Sequence, residues 1–370
     1  MSNSELDLRI GLRFKSLRES RGISQEAFAA ALGIEHRQTI AAIESGARRL
    51  SPAELVRAAS ELGVDVDTFT DPFRLVGEGS FSFRTKGVAP ETLSTFEEQA
   101  GRWIATYREL SNRLGVGRRV LGSKLELSVT SSFEDAMASG EALWESWDLG
   151  DVSAERLQDA IEHHLGILVL YVDTVEGISG AASHLPRYDT ILVNRNESSG
   201  RRYFDLAHEL FHILTWDAMP PRRVEGWDVA RSKGNRVENL ADNFAGALLM
   251  PAPIIQRLWK ARNDEDPGAW LTRNASELRV SPDALKWRLV ALKLLPPAAA
   301  RELTPRAAKP SGAAQVPLLF SGRFIEMISR GVNAGLLSVR RAAGLLGLRV
   351  GELARLCAAH GHPLAYDLAE

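Results

Sequence analysis

The sequence predicts a multidomain, mostly α-helical protein with one small β-sheet: a helical head, an α+β central domain and a small helical C-terminal module. Three observations predict it. Apolar residues recur at helical spacing over most of the 370 residues, interrupted by Gly, Pro and Ser. Two short β-branched runs, ILVLYV at 167–172 and TILVN at 190–194, lie close together and are bounded by turn residues. A Pro- and Ala-rich stretch at 296–317 reads as a linker and separates a basic tail from the rest. A length of 370 suits two or three domains, and 45% hydrophobic with 25% charged residues is ordinary for a globular chain.

Residues 5–71 form the head. Ile10, Phe14 and Leu17, then Phe28, Ala31 and Leu32, then Ile40 and Ile43 mark successive short helices, with breaks at Gly22, Gly33, Gly46 and Pro52. Ser24 and Ser51 precede helix starts as N-caps, and Pro52 takes the first helical position. Residues 72–152 read as a linker with connecting helices, including an extended piece at SFSFR and a helix over 91–115 with Leu93, Phe96, Ala100, Trp103 and Tyr107 in one stripe. Residues 153–295 form the central domain. It begins with a helix at 153–166 and continues through the two strands, with GISGAAS as a third strand between them. Helices at 201–216 and 236–250 follow, then two short helices within 271–293 broken at Ser281-Pro282. Residues 318–370 form the tail module; from 301 to 355 nine basic side chains stand against three acidic ones.

The formal net charge of -2 neither demands nor excludes nucleic acid. A single cysteine, Cys357, rules out an intramolecular disulfide and suits a reducing cytosol. The start of the chain lacks the basic and apolar segments of a signal peptide, and no run approaches the ~18 apolar residues of a membrane span. The expectation is a cytoplasmic protein with no membrane partner.

The segment His208-Glu209-Leu210-Phe211-His212 has the spacing of a zinc site. Four residues of helix turn through roughly 400°, which stacks His208 and His212 on one face. Both imidazoles then reach one tetrahedral Zn2+, and Glu209 is placed to act as general base. The flanks Phe204, Leu206, Ala207, Leu210 and Leu214 make this a buried helix, where ionisable groups are costly unless paired or liganding a metal. Glu238 and Asp242 repeat the one-turn spacing on a later helix. Glu238 is read as the third ligand, and Asp242 as acceptor of the spare N–H of His208. The competing reading is a solvated acidic face at a helix start. His184, Tyr188 and Tyr203 are candidate donors to a developing oxyanion, and TILVN is a candidate edge for an extended peptide.

Residues from about 160 to 295 resemble the ImmA/IrrE family of metallopeptidases. The resemblance rests on Arg201-Arg202-Tyr203-Phe204-Asp205-Leu206-Ala207-His208-Glu209-Leu210-Phe211-His212, and on Glu238-x-x-Ala241-Asp242-x-Phe244-Ala245 running on to Leu248-Leu249-Met250-Pro251. It implies a zincin-like fold, zinc held by the two histidines and Glu238, Glu209 as base, and a site-specific cut in a repressor-type transcription factor. Where this chain has Asp242 the family often shows Asn.

Residues 9–70 resemble a Cro/repressor-type helix-turn-helix domain. Ser24 to Gly33 matches its second helix and turn, and Arg37 to Gly46 its recognition helix. Such a fold aims Arg37, Gln38 and Thr39 into the major groove, while Gln25, Arg48 and Arg49 would contact phosphates of double-stranded DNA. Nine basic and ten acidic side chains over 1–70 leave this head without a strong electrostatic footprint. Salt-dependent binding by a homodimer is expected. The tail, GLLSVRRAAGLLGLRVGELARLCAAHGH, carries a second helix-turn-helix-like pattern similar to small antitoxin-type proteins.

Together these features predict a DNA-binding regulator with a zinc endopeptidase domain that cuts a regulatory protein and couples a stress or mobile-element signal to transcription. The alternative is a non-catalytic, antitoxin-like binding protein that uses the peptidase fold as a sensor or interaction module.

Overall fold

The computed structural model describes residues 3–116, 124–226, 236–304 and 316–365. In chain order the elements are α1 (Asn3–Ser20), α2 (Gln25–Leu32), α3 (Arg37–Glu44), α4 (Pro52–Glu61), α5 (Asp67–Thr70), β1 (Ser80–Thr85), α6 (Pro90–Arg113), α7 (Phe133–Ser146) and α8 (Ser153–Ala160). A π-type turn at Ile161–Leu165 continues α8. Then come β2 (Leu168–Val172), β3 (Ile178–His184), β4 (Thr190–Asn194), α9 (Ser199–Thr215), β5 (Val224–Gly226) and α10 (Arg236–Leu249). The chain continues with α11 (Ala252–Lys260), α12 (Pro267–Glu277), α13 (Pro282–Ala291), α14 (Pro297–Glu302), α15 (Gly322–Asn333), α16 (Val339–Leu346) and α17 (Val350–Ala359). The protein is mostly α-helical with one small sheet. No helix among the described residues is long and apolar enough to cross a membrane.

The chain divides into two compact units, one of Met1–Ser80, Leu93–Gly117 and Ile325–Glu370, the other of Phe81–Thr92 and Arg118–Phe324. In the first unit, helix starts follow local chemistry. Ser24 Oγ accepts the Ala27 N–H, and Ser51 with Glu54 forms a reciprocal capping box ahead of Pro52. Phe14, Phe28, Leu32, Ile40, Ile43 and Phe69 are buried together as the core of α1–α5. Arg13 is fully buried; its guanidinium donates to Phe69 O at 3.0 Å, Asp71 O at 2.8 Å and Glu78 at 2.6 Å. It ties the chain leaving α5 back to α1.

In the second unit the sheet order is β2-β4-β3-β1-β5. β2 runs parallel to β4 with Leu170 opposite Leu192, and β3 runs antiparallel to β4 with Ala182 opposite Ile191. Every residue of β2 is buried, as befits a strand covered on both faces. α9 and α10 belong to the same apolar core through Leu206, Leu210, Phe211, Leu240, Phe244 and Leu248.

Three findings go beyond or against the sequence reading. The stretch 72–152, read as a connector, supplies β1 to the sheet and α7 against α10, with Ala136 and Gly140 buried. TILVN is β4 and lies between β2 and β3, so it offers no free edge to a peptide. The linker at 296–317 opens with α14, whose Ala300 is buried; its remainder at 305–315 lies outside the described residues.

Candidate metal centre and helix-turn-helix

His208, Glu209 and His212 lie in the middle of α9, and Glu238 and Asp242 in the first half of α10. The apolar faces of the two helices hold them together, which turns both polar edges toward one point. His208 Nε2 is 3.1 Å from His212 Nε2 and 3.1 Å from Glu238 Oε2; His212 Nε2 is 3.2 Å from Glu238 Oε1. All three residues are buried, at 1%, 1% and 3% exposure.

These three atoms fit a divalent metal. Bonds of ~2.0–2.1 Å in a tetrahedron place neighbouring ligand atoms about 3.3 Å apart, close to the spacing found. Two imidazole nitrogens face each other at 3.1 Å, and the buried Glu238 Oε1 meets His212 Nε2 at 3.2 Å without hydrogen-bond geometry. Such groups are costly unless something cationic joins them. Around the site stand the carboxyl groups of Asp205, Glu209, Glu238 and Asp242, against the guanidinium groups of Arg84 and Arg201.

His208 is oriented from behind. Its Nδ1 lies 2.9 Å from Asp242 Oδ1, which fixes the ring so that Nε2 faces the site. Burial and the Arg84 charge both oppose a proton on His208, but Glu238 and Asp242 outweigh them and push its pKa up to about 9. Burial opposes ionisation of Glu238 and Asp242 as well. The histidines prevail, holding both carboxyls below the usual carboxylate range. Glu209 is the exception: burial pushes its carboxyl up, despite the neighbouring His212 and His208. A carboxyl raised above its ordinary value is a stronger proton acceptor once ionised.

The residue that sequence reasoning missed is Arg84, on β1. It donates to Asp205 at 2.8 Å and reaches Asp242 at 3.7 Å. Asp205 is fully buried and also accepts from Arg201 at 3.0 Å. The only hint in the sequence was a charged residue within an apolar, Phe-alternating strand. Gly180 of β3 was missed too: a Cβ there would lie 3.7 Å from Glu209 Oε1 and 3.2 Å from Leu192 O. The close neighbour is therefore the Leu192 carbonyl of β4, while Glu209 lies at ordinary contact distance. His184, at the far end of β3, is bonded to Asp189 at 2.8 Å and stacked on Trp216, so it is not among the converging donors.

Residues 162–290 match the IrrE N-terminal-like domain of peptidase family M78. The IrrE-like domain is therefore metallopeptidase-like, and its match spans α9 and α10 but not β1 or α7. Residues 14–69 match the helix-turn-helix family. The pairing is that of a DNA-binding regulator carrying an IrrE-type domain. A search of curated proteins returns no match.

In the helix-turn-helix, Arg37 and Gln38 are exposed and Thr39 is half-buried in the first turn of α3. Gln25 is turned to the interior: its Nε2 donates to Glu44 at 2.8 Å, and Glu44 also accepts from Arg18 at 2.6 Å. Arg48 pairs with Glu54 at 2.8 Å, and Arg49 with Asp7 at 2.7 Å.

Proposed function

We propose that this chain is a DNA-binding transcriptional regulator whose IrrE-like domain is a zinc-dependent endopeptidase acting on a regulatory, repressor-type protein. The observation that carries the reading is the convergence of His208, His212 and Glu238 within 4.8 Å, with Glu209 buried beside them. When bound, zinc supplies Lewis acidity, which polarises a peptide carbonyl and acidifies water. Glu209 takes the proton from the attacking water at its carboxylate and returns it to the leaving amine. Asp242 holds the tautomer of His208, and Arg84 holds Asp242 and Asp205. The surrounding apolar core keeps bulk water from His208, Glu209, His212 and Glu238.

In the DNA-binding head, Arg37, Gln38 and Thr39 read base edges in the major groove, as the first turn of a recognition helix does. Arg48 and Arg49 exchange their surface carboxylates for phosphates, a small cost at exposed pairs. Gln25 contacts phosphate only by leaving Glu44.

One observation favours a second reading. β3, the strand beside Glu209, has β4 on one side and β1 on the other. An extended peptide therefore has no open β3 edge to join, which suits a sensor or interaction role. Glu209→Gln separates the two. If the variant keeps its metal and a co-expressed repressor-type substrate loses a defined cut, the enzyme reading stands. If regulation in cells is unaffected by it, the sensor reading replaces it.

A further inference from the structure

The C-terminal hairpin repeats the geometry of the N-terminal helix-turn-helix. Ser338 caps α16 as Ser24 caps α2, accepting the Arg341 N–H at 3.2 Å where Ser24 accepts Ala27 at 3.1 Å. Each first helix has eight residues and ends on a left-handed glycine, Gly347 at φ 73 and Gly33 at φ 68. The closing bonds correspond: Gly347 N to Gly344 O and Leu348 N to Ala343 O, against Gly33 N to Ala30 O and Ile34 N to Ala29 O. Buried positions correspond too. Ala342, Ala343 and Leu346 stand where Phe28, Ala29 and Leu32 stand, counted from the capping serine. In the second helix, Leu353 and Cys357 replace Ile40 and Glu44 after a turn one residue shorter.

The two hairpins differ in charge. Residues 24–49 set Arg37, Arg48 and Arg49 against Glu26, Glu35 and Glu44, and two of those arginines are already paired. Residues 338–361 set Arg340, Arg341, Arg349 and Arg355 against Glu352 alone. Arg341 anchors the hairpin within the first unit, pairing with Asp71 at 3.3 Å and covering the Phe73 ring. Arg340, Arg349 and Arg355 are exposed; the Arg349 backbone N–H donates to Glu352 at 2.7 Å, but none of the three guanidinium groups is ion-paired with a carboxylate among the described residues.

We propose that the hairpin Ser338–Gly361 is a second DNA-contacting element, in which Arg340, Arg349 and Arg355 bind backbone phosphates. It adds to an electrostatic term that the N-terminal head, with nine basic and ten acidic side chains over 1–70, supplies only weakly. Both hairpins belong to one compact unit. The site is separate from α3, so the proposal stands or falls apart from the reading of the head.

The test uses the full chain and a short random-sequence duplex, with affinity followed over a salt series. The triple variant Arg340→Ala/Arg349→Ala/Arg355→Ala is expected to weaken binding about tenfold or more. It should also reduce the slope of log K against log salt by about 2–3, near 0.9 per phosphate lost. The triple Arg→Lys variant keeps the slope, which separates charge from folding. An alanine triple variant that is folded and binds with wild-type slope and affinity overturns the proposal and leaves the hairpin as a protein-contact module.

Discussion

Arg84 Nη1 donates to Asp205 Oδ1 at 2.8 Å across 121 positions of sequence. The contact carries strand β1 to α9, one turn before the first histidine of the metal centre. Asp205 is fully buried, so removal of Arg84 leaves its carboxylate with Arg201 alone. Breaking a buried pair from one side costs about 3–5 kcal/mol. Arg84→Ala is expected to lower unfolding stability by that order in chemical denaturation. A loss within about 1 kcal/mol of the usual surface substitution would show that the pair does little.

Asp242 is expected to act through its oxygen and not its charge. Asp242→Asn keeps an acceptor for His208 Nδ1–H, whereas Asp242→Ala removes it. In chelator competition, zinc affinity should fall roughly 10–100-fold for the alanine and far less for the asparagine. Equal losses in the two variants would contradict an orienting role.

Glu162 gives a pH signature away from the metal. Burial pushes its carboxyl from 4.5 up to about 7, against the Val169 N–H and the Arg323 charge that favour ionisation. The folded protein therefore holds a proton that the unfolded chain releases. This contribution is fully present below about pH 4.5, is lost as pH rises through 7 and is flat above. Glu162→Gln should remove a decline on the order of 3 kcal/mol between those limits. Parallel stability profiles for the two proteins would show that Glu162 ionises normally.

For the DNA-binding head, Arg37→Ala and Gln38→Ala are each expected to cost about 1–3 kcal/mol on a cognate operator and to relax base preference. Arg48→Ala and Arg49→Ala should weaken all duplexes alike and shallow the salt dependence by about one unit each. A loss of discrimination from Arg48 or Arg49 would reverse these assignments.

The candidate metal cluster could be read from the sequence because its spacing is local. His208 and His212 sit one helical turn apart, and so do Glu238 and Asp242, so two short segments carry the donor set. The hairpins were legible through Ser24, Gly33, Ser338 and Gly347, whose caps follow from residue type. Long-range placement was not. Nothing local tells that Arg84 meets Asp205, or that TILVN is an interior strand, because both depend on strand order. α7 was missed because its core contact with α10 runs through Ala136 and Gly140, which leave no bulky apolar stripe. Gln25 looked like a phosphate contact from its position at a helix start; the buried Arg18–Glu44 pair draws it inward.

The most direct test is zinc content by elemental analysis of the purified full chain and four variants after dialysis. The wild type and Glu209→Gln should each retain about one equivalent, and His208→Ala, His212→Ala and Glu238→Ala close to none. A wild type that holds no zinc, or histidine and Glu238 variants that hold as much as it does, would contradict a three-residue metal grip.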